Sequence, residues 1–160
     1  MSIPPATTGQ RLGRFALPLY LAYSRFARGM TLGVRAAVFD AQGRVFLVKH
    51  TYVPGWYLPG GGVEPGETIE QALARELAEE GHIRLDGPAA LLGIYHNREL
   101  SRRDHVAFFV VRRFTQERPR LPDREIVEAG FFADLPEDTT DATRRRLDEV
   151  AGRRTADGIW

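Results

Sequence analysis

The chain has 160 residues, 43% of them apolar and 27% charged, a formal net charge of +1 and no cysteine. That length suits one compact domain with its own hydrophobic core and leaves little room for a second. The lack of cysteine excludes disulfides, thiolate metal sites and a cysteine nucleophile and fits a cytoplasmic setting, while the near-neutral charge carries no signal for DNA binding or a membrane.

Residues 1–10 are polar with two prolines and read as a loose terminus. Residues 11–30 (RLGRFALPLYLAYSRFARGM) hold an apolar run, 15–23, flanked by Arg14, Arg25 and Arg28. The run is far short of the ~20 residues a transmembrane helix needs. It reads as an amphipathic helix, broken at Pro18, that caps the domain or supports a homodimer contact; a membrane-surface anchor is the alternative. The chain is thus expected to divide into an N-terminal extension, 1–30, and a domain, 31–160.

Residues 31–39 (TLGVRAAVF) are β-branched and apolar and predict a strand. Asp40 to Gly43 is a turn signal, and 44–49 (RVFLVK) predicts the returning strand of a hairpin. A Gly/Pro-rich loop covers 54–66, with a strand-like piece at 56–58. From 68 to 80, Ile69, Ala72, Leu73 and Leu77 recur at helical spacing, and Gly81 stands where the helix should stop. Residues 89–95 and 105–111 predict strands around a polar loop, 126–132 a further strand, and 140–151 a closing helix.

The informative stretch is LPGGGVEPGETIEQALARELAEEGHI, residues 58–83. Its glycines allow a backbone to approach a ligand closely. At the far end of the following helix, Glu76, Glu79 and Glu80 stand at i, i+3 and i+4, on one face. There the helix dipole disfavours each anion by roughly 0.3–1 kcal/mol, and the three repel one another. A hard divalent cation held by carboxylate oxygens removes that repulsion.

The run from Gly61 to Ile83 resembles the Nudix box, G-x5-E-x7-R-E-U-x-E-E-x-G-U, where U is a bulky aliphatic residue. Gly61 opens it, Glu67 and Arg75 follow at the fixed spacings, and then come Glu76, Leu77, Glu79, Glu80 and Ile83. One fixed position departs: His82 stands where the family has glycine, and Gly81 is expected to do the helix-stop work one residue early.

The resemblance implies an α+β fold, an α/β/α sandwich whose mixed β-sheet carries a catalytic loop and helix. It implies Mg²⁺-dependent hydrolysis, with Mn²⁺ able to substitute, of the diphosphate linkage in a nucleoside diphosphate joined to another moiety X. Glu76, Glu79 and Glu80 look like metal ligands, with a main-chain carbonyl at Gly60 or Gly61 completing the set. Glu67 and Arg75 look like the salt bridge that holds loop on helix. By its distance from Phe131 and Phe132, Glu125 resembles a further catalytic carboxylate outside the box, with Glu128 second. Arg35 and Lys49 could meet phosphates if strand alternation turns them to the cleft, and Tyr52 and Trp56 could stack on a base; Gly60 and Gly62 would line the substrate. The other reading is a catalytically inactive, nucleotide-binding regulatory module of the same fold.

Overall fold

A computed structural model of the chain describes Tyr20, Tyr23, Ser24, Ala27 and residues 29–160. The amphipathic helix expected within 11–30 falls mostly outside the described residues. No helix among them is long and apolar enough to cross a membrane.

Among the described residues from Thr31 onward, seven strands and two helices follow in the order β1 (Thr31–Val38), β2 (Val45–His50), α1 (Ile69–Gly81), β3 (Ile83–Leu85), β4 (Ala90–His96), β5 (Asp104–Val111), β6 (Phe114–Gln116), β7 (Ile126–Phe132) and α2 (Asp141–Val150). The largest sheet has the order β1-β5-β4. In it β1 runs parallel to β5, with Val34 opposite Ala107, and β4 runs antiparallel to β5, with His96 opposite His105. Two antiparallel pairs complete the strands, β2 with β7 and β3 with β6.

Side-chain alternation along these strands fills two cores. On one face Val34, Ala36 and Val38 of β1 and Ala107, Phe109 and Val111 of β5 meet Phe46 and Val48 of β2 and the buried stripe Ala72, Leu73 and Leu77 of α1. On the other, Ala37, Phe108, Tyr95, Val45 and Leu47 meet Trp56, Leu58 and, from α2, Leu147. The mixed sheet thus lies between two helices, the α/β/α sandwich of an α+β protein. Burying Leu73 and Leu77 completely stabilises the seat of α1 by roughly 1.5–3 kcal/mol each.

The expected β1–β2 hairpin does not form. A turn is present: Gly43 N–H donates to Asp40 O, and Asp40 N–H to Arg44 O. Beyond it only Phe39 and Val45 bridge, and the strands diverge into different sheets. Both carry runs of buried apolar residues that face either side, Ala36 to Val38 and Val45 to Val48, and such strands find their partners across the chain, in β5 and β7, rather than across the nearest turn.

Candidate active site

Helix α1 starts at a capping box. Thr68 Oγ1 accepts from Gln71 N–H at 3.2 Å, and Gln71 Oε1 accepts from Thr68 N–H at 2.9 Å. These two bonds satisfy donors that a helix start leaves orphaned, and they fix the angle at which the glycine loop enters. One residue earlier, Glu67 faces Arg75 across two turns of the helix. Arg75 Nε donates to Glu67 Oε1 and Nη2 to Oε2, both at 2.9 Å. Arg75 Nη2 also donates to Gly62 O at 3.0 Å and Nη1 to Glu76 Oε1 at 2.7 Å. The Arg75 guanidinium brings the Glu67 carboxyl down to about 2, with Glu64 N–H assisting. One arginine therefore fastens the loop and aligns the first of the three glutamates.

The far end of the helix is fastened separately. Glu80 Oε2 accepts from Gly60 N–H at 2.7 Å, and Glu80 Oε1 lies 3.5 Å from His50 Nε2. Burial pushes the Glu80 carboxyl up to about 7; Arg35 and Gly60 N–H pull it down, and Glu76 and Glu79 push it up. Glu79 differs from its neighbours. Its side chain is 61% exposed, and its one ion pair among the described residues is a 3.5 Å approach to Arg75 Nη1.

Two glycines set the loop against this face. Gly60 has φ +138°, and a Cβ there would run into the Val34 carbonyl and stand 3.0 Å from Arg35 Cα. A Cβ on Gly61 would sit 2.6 Å from Glu76 Cδ. The Gly61 carbonyl accepts from Val34 N–H at 2.8 Å, which ties the loop to β1.

His82 corrects the expected helix stop. It adopts the left-handed conformation itself, φ 52° and ψ 34°, and its N–H reaches back to the carbonyls of Ala78 and Leu77. Gly81 is the last helical residue, held small because a Cβ would press on Ile83 and Phe46. His82→Gly should therefore relieve a left-handed side chain. A gain of about 0.5–1 kcal/mol is expected, the strain removed less the extra freedom glycine gives the unfolded chain. Thermal unfolding would show it as a higher Tm, and an unchanged or lower Tm would refute it.

Beside the loop opens a cleft of about 920 Å³. It is lined by Arg35, His50, Tyr52, Tyr57, Gly61 and Gly62, and also by Asn97, Asp104, the residues 138–143 that lead into α2, and Trp160. Arg35 donates from Nη1 to Leu58 O at 2.9 Å. Tyr52 is 71% exposed on the rim, its ring 5.1 Å from that of His50.

Trp56 does not line this cleft. It is 4% exposed in the second core, 4.7 Å from the Phe132 ring. Lys49 points to the same side. Its Nζ pairs with Asp138 Oδ2 at 2.7 Å and lies over the Trp56 ring. Alternation along β2 gives the cleft His50 in its place. Glu125 is exposed on the segment before β7, its carbonyl accepting from Thr51 N–H, and Glu128 is exposed opposite Lys49.

Sequence reasoning passed over His50, Leu100, Asp104 and Trp160. The neighbouring Lys49 drew attention by its charge, and nothing in VFLVKH states which parity faces the cleft. The other three reach it through the β4–β5 loop and a C-terminal bridge between His96 and Ile159, contacts distant in sequence.

The donor set is that of a hard cation: carboxylate oxygens on one helical face, in a chain without thiolates, with glycine backbone against Glu76. Among the described residues no three acidic or histidine side chains already converge as a closed cage. Arg75 holds Glu76, Gly60 N–H holds Glu80, and Glu79 projects outward. The residues fit a divalent ion of the Mg²⁺ type in chemistry and in their common face.

The family model described as NUDIX domain matches residues 29–150. A MutT NUDIX hydrolase of Burkholderia pseudomallei has a similar crystal structure, at 32% sequence identity and TM-score 0.65, over 75% of this chain and 97% of that one. An ADP-ribose pyrophosphatase of Methanocaldococcus jannaschii is 36% identical over 76 residues, 46% of this chain and 44% of its own length. An RNA pyrophosphohydrolase of Gluconobacter oxydans is 41% identical over 49 residues, 29% of each chain. The chain spans about half the length, or less, of the curated relatives it matches.

Proposed function

Because this chain belongs to the Nudix family, we propose that it hydrolyses the diphosphate linkage of a nucleoside diphosphate joined to a second moiety X. The observation that supports this most is the placing of Glu76, Glu79 and Glu80 on one face of α1, under a glycine loop that Arg75 and Glu80 each hold down. Water attacks one phosphorus of the bridge, the bridging P–O bond breaks, and a nucleoside monophosphate and a phosphorylated X leave. Glu76, Glu79 and Glu80 are the residues that would hold Mg²⁺, or Mn²⁺ in its place. Such an ion, when bound, offsets the charge of the diphosphate and acidifies water.

The chain's own groups supply the positioning on which this chemistry mostly depends. One carboxylate of the set takes the proton released by the attacking water. Arg35, on the cleft wall, meets phosphate oxygens with the guanidinium nitrogens that Leu58 O leaves free. Tyr52, exposed on the rim, offers its face to a base. The Glu67–Arg75 pair keeps the loop on the helix throughout.

The names of the relatives span ADP-ribose and RNA, so X is best found by assay. The chain should be incubated with a panel of nucleoside triphosphates, nucleotide sugars, ADP-ribose, dinucleoside polyphosphates and 5′-triphosphorylated RNA, with Mg²⁺, Mn²⁺ or EDTA, and the products weighed by mass spectrometry. Metal-dependent release of a monophosphate from at least one compound is expected. Binding without turnover throughout would instead make the chain a nucleotide-binding regulatory module.

A further inference from the structure

Among the described residues that line the cleft, His50, buried at 6% exposure, is the one whose buried polar side-chain atoms, both ring nitrogens, lack a hydrogen-bond partner. Buried polar atoms are rarely left so, and an exception needs a reason. Three features hold the ring where it is. A register shift between Lys49 and His50 ends the β2–β7 ladder at this residue. The rings of Tyr52 and Tyr57 stand 5.1 and 5.9 Å away. Alternation along β2 turns the imidazole toward α1, and Nε2 comes to 3.5 Å from Glu80 Oε1, whose partner oxygen Oε2 is already bonded to Gly60 N–H.

We propose that His50 is the positioning residue of Glu80: with its proton on Nε2 it holds Oε1 while Gly60 N–H holds Oε2, so that the carboxylate keeps one orientation. A carboxylate held at both oxygens offers its remaining lone pairs to a cation in a fixed direction. Held at one, it swings about its last torsion. The buried ring has those of Tyr52 and Tyr57 as neighbours and its nitrogen faces Glu80, so the effect belongs to cation binding rather than to recognition of X.

The inference rests on the assignment of Glu76, Glu79 and Glu80 as cation ligands, and one titration separates the two. Mn²⁺ binding to the full chain, without substrate, would be followed by water-proton relaxation for the parent, His50→Phe, His50→Gln and Glu79→Gln. His50→Phe keeps a ring and loses the N–H; it should weaken Mn²⁺ binding about 10-fold or more, the usual effect of removing a group that orients a metal ligand. His50→Gln restores an N–H at similar reach and should regain most of that affinity. In turnover assays kcat should fall for His50→Phe with KM for substrate close to the parent's. Should phenylalanine not be accommodated, as near-UV circular dichroism would reveal, His50→Leu replaces it in the comparison with glutamine.

Parent-like Mn²⁺ affinity in His50→Phe, or equal weakening in the glutamine and apolar variants, would overturn the proposal while the ligand assignment stands. Parent-like affinity in Glu79→Gln would overturn the assignment and the role of His50 with it.

Discussion

Glu79→Gln is expected to lower kcat by on the order of 10²–10⁴-fold, the range in which an essential acid–base or metal-binding carboxylate contributes, and to leave the fold intact. The reasoning starts from exposure. The Glu79 side chain is 61% exposed and, among the described residues, is paired only with Arg75 at 3.5 Å. Surface pairs of that kind contribute about 0–1 kcal/mol. Removing the charge also relieves repulsion from Glu76 and Glu80 and an unfavourable place near the negative end of the helix, worth roughly 0.3–1 kcal/mol. Tm should hold or rise slightly. A large loss of activity without loss of stability is what a residue kept for chemistry shows. Should Glu79→Gln turn over the best panel substrate at the parent's rate, the hydrolytic assignment of this helix face fails.

Gly60→Ala is expected to damage the fold itself. The residue has φ +138°, a conformation open to glycine. An added methyl would also meet backbone, the Val34 carbonyl and Arg35 Cα, rather than the movable end of a side chain. Strain of about 1–3 kcal/mol from the dihedral and a similar sum from overpacking put the loss at about 3 kcal/mol or more. For a domain of this size that is a fall in Tm of about 6 °C or greater. Activity should fall too, since the Gly60 N–H that holds Glu80 moves with the loop. Gly61 provides the contrast: the nearest atoms a Cβ there would meet are the end of the Glu76 side chain, so Gly61→Ala should spare the fold and displace a carboxylate. Calorimetric unfolding of Gly60→Ala decides the matter, and an unchanged Tm would contradict the reading of the loop.

The elements were legible where the signal is local. The apolar stripe Ile69, Ala72, Leu73 and Leu77 marks α1 to within a residue at each end, because helical spacing is written in consecutive residues. The runs that form β1, β5 and β7 announce themselves by β-branched and aromatic content. Strands β3 and β6, of three residues each, are too short to carry a period. Pairing was not legible either. The Asp40–Gly43 turn suggested a hairpin, yet Thr31 lies opposite Asp104 and Val45 opposite Phe132, choices made by the burial of both strand faces. In the site, Glu76, Glu79 and Glu80 could be read because one helix presents them together. The parity that buries Lys49's neighbour His50 beside Glu80, and sends Trp56 into the core, depends on which face of β2 the rest of the molecule covers. His82 shows the same limit at a single dihedral: a stop was visible in the Gly81–His82 pair, and the structure alone says which residue turns left-handed.

The lining of the cleft draws on segments of separate origin. Gly61, Gly62 and Arg35 belong to the loop and strand that Arg75 and Glu80 lock to the helix. Asn97, Leu100 and Trp160 come from the β4–β5 connection and the last residue, and their backbone N–H groups donate to Asp104, Asn97 and His96 rather than to that locked network. On the function proposed above, appetite for a different X can thus drift by changes along the second set while the hydrolytic engine runs on unaltered, and retooling the protein becomes a matter of exchanging surface segments rather than rebuilding its machinery.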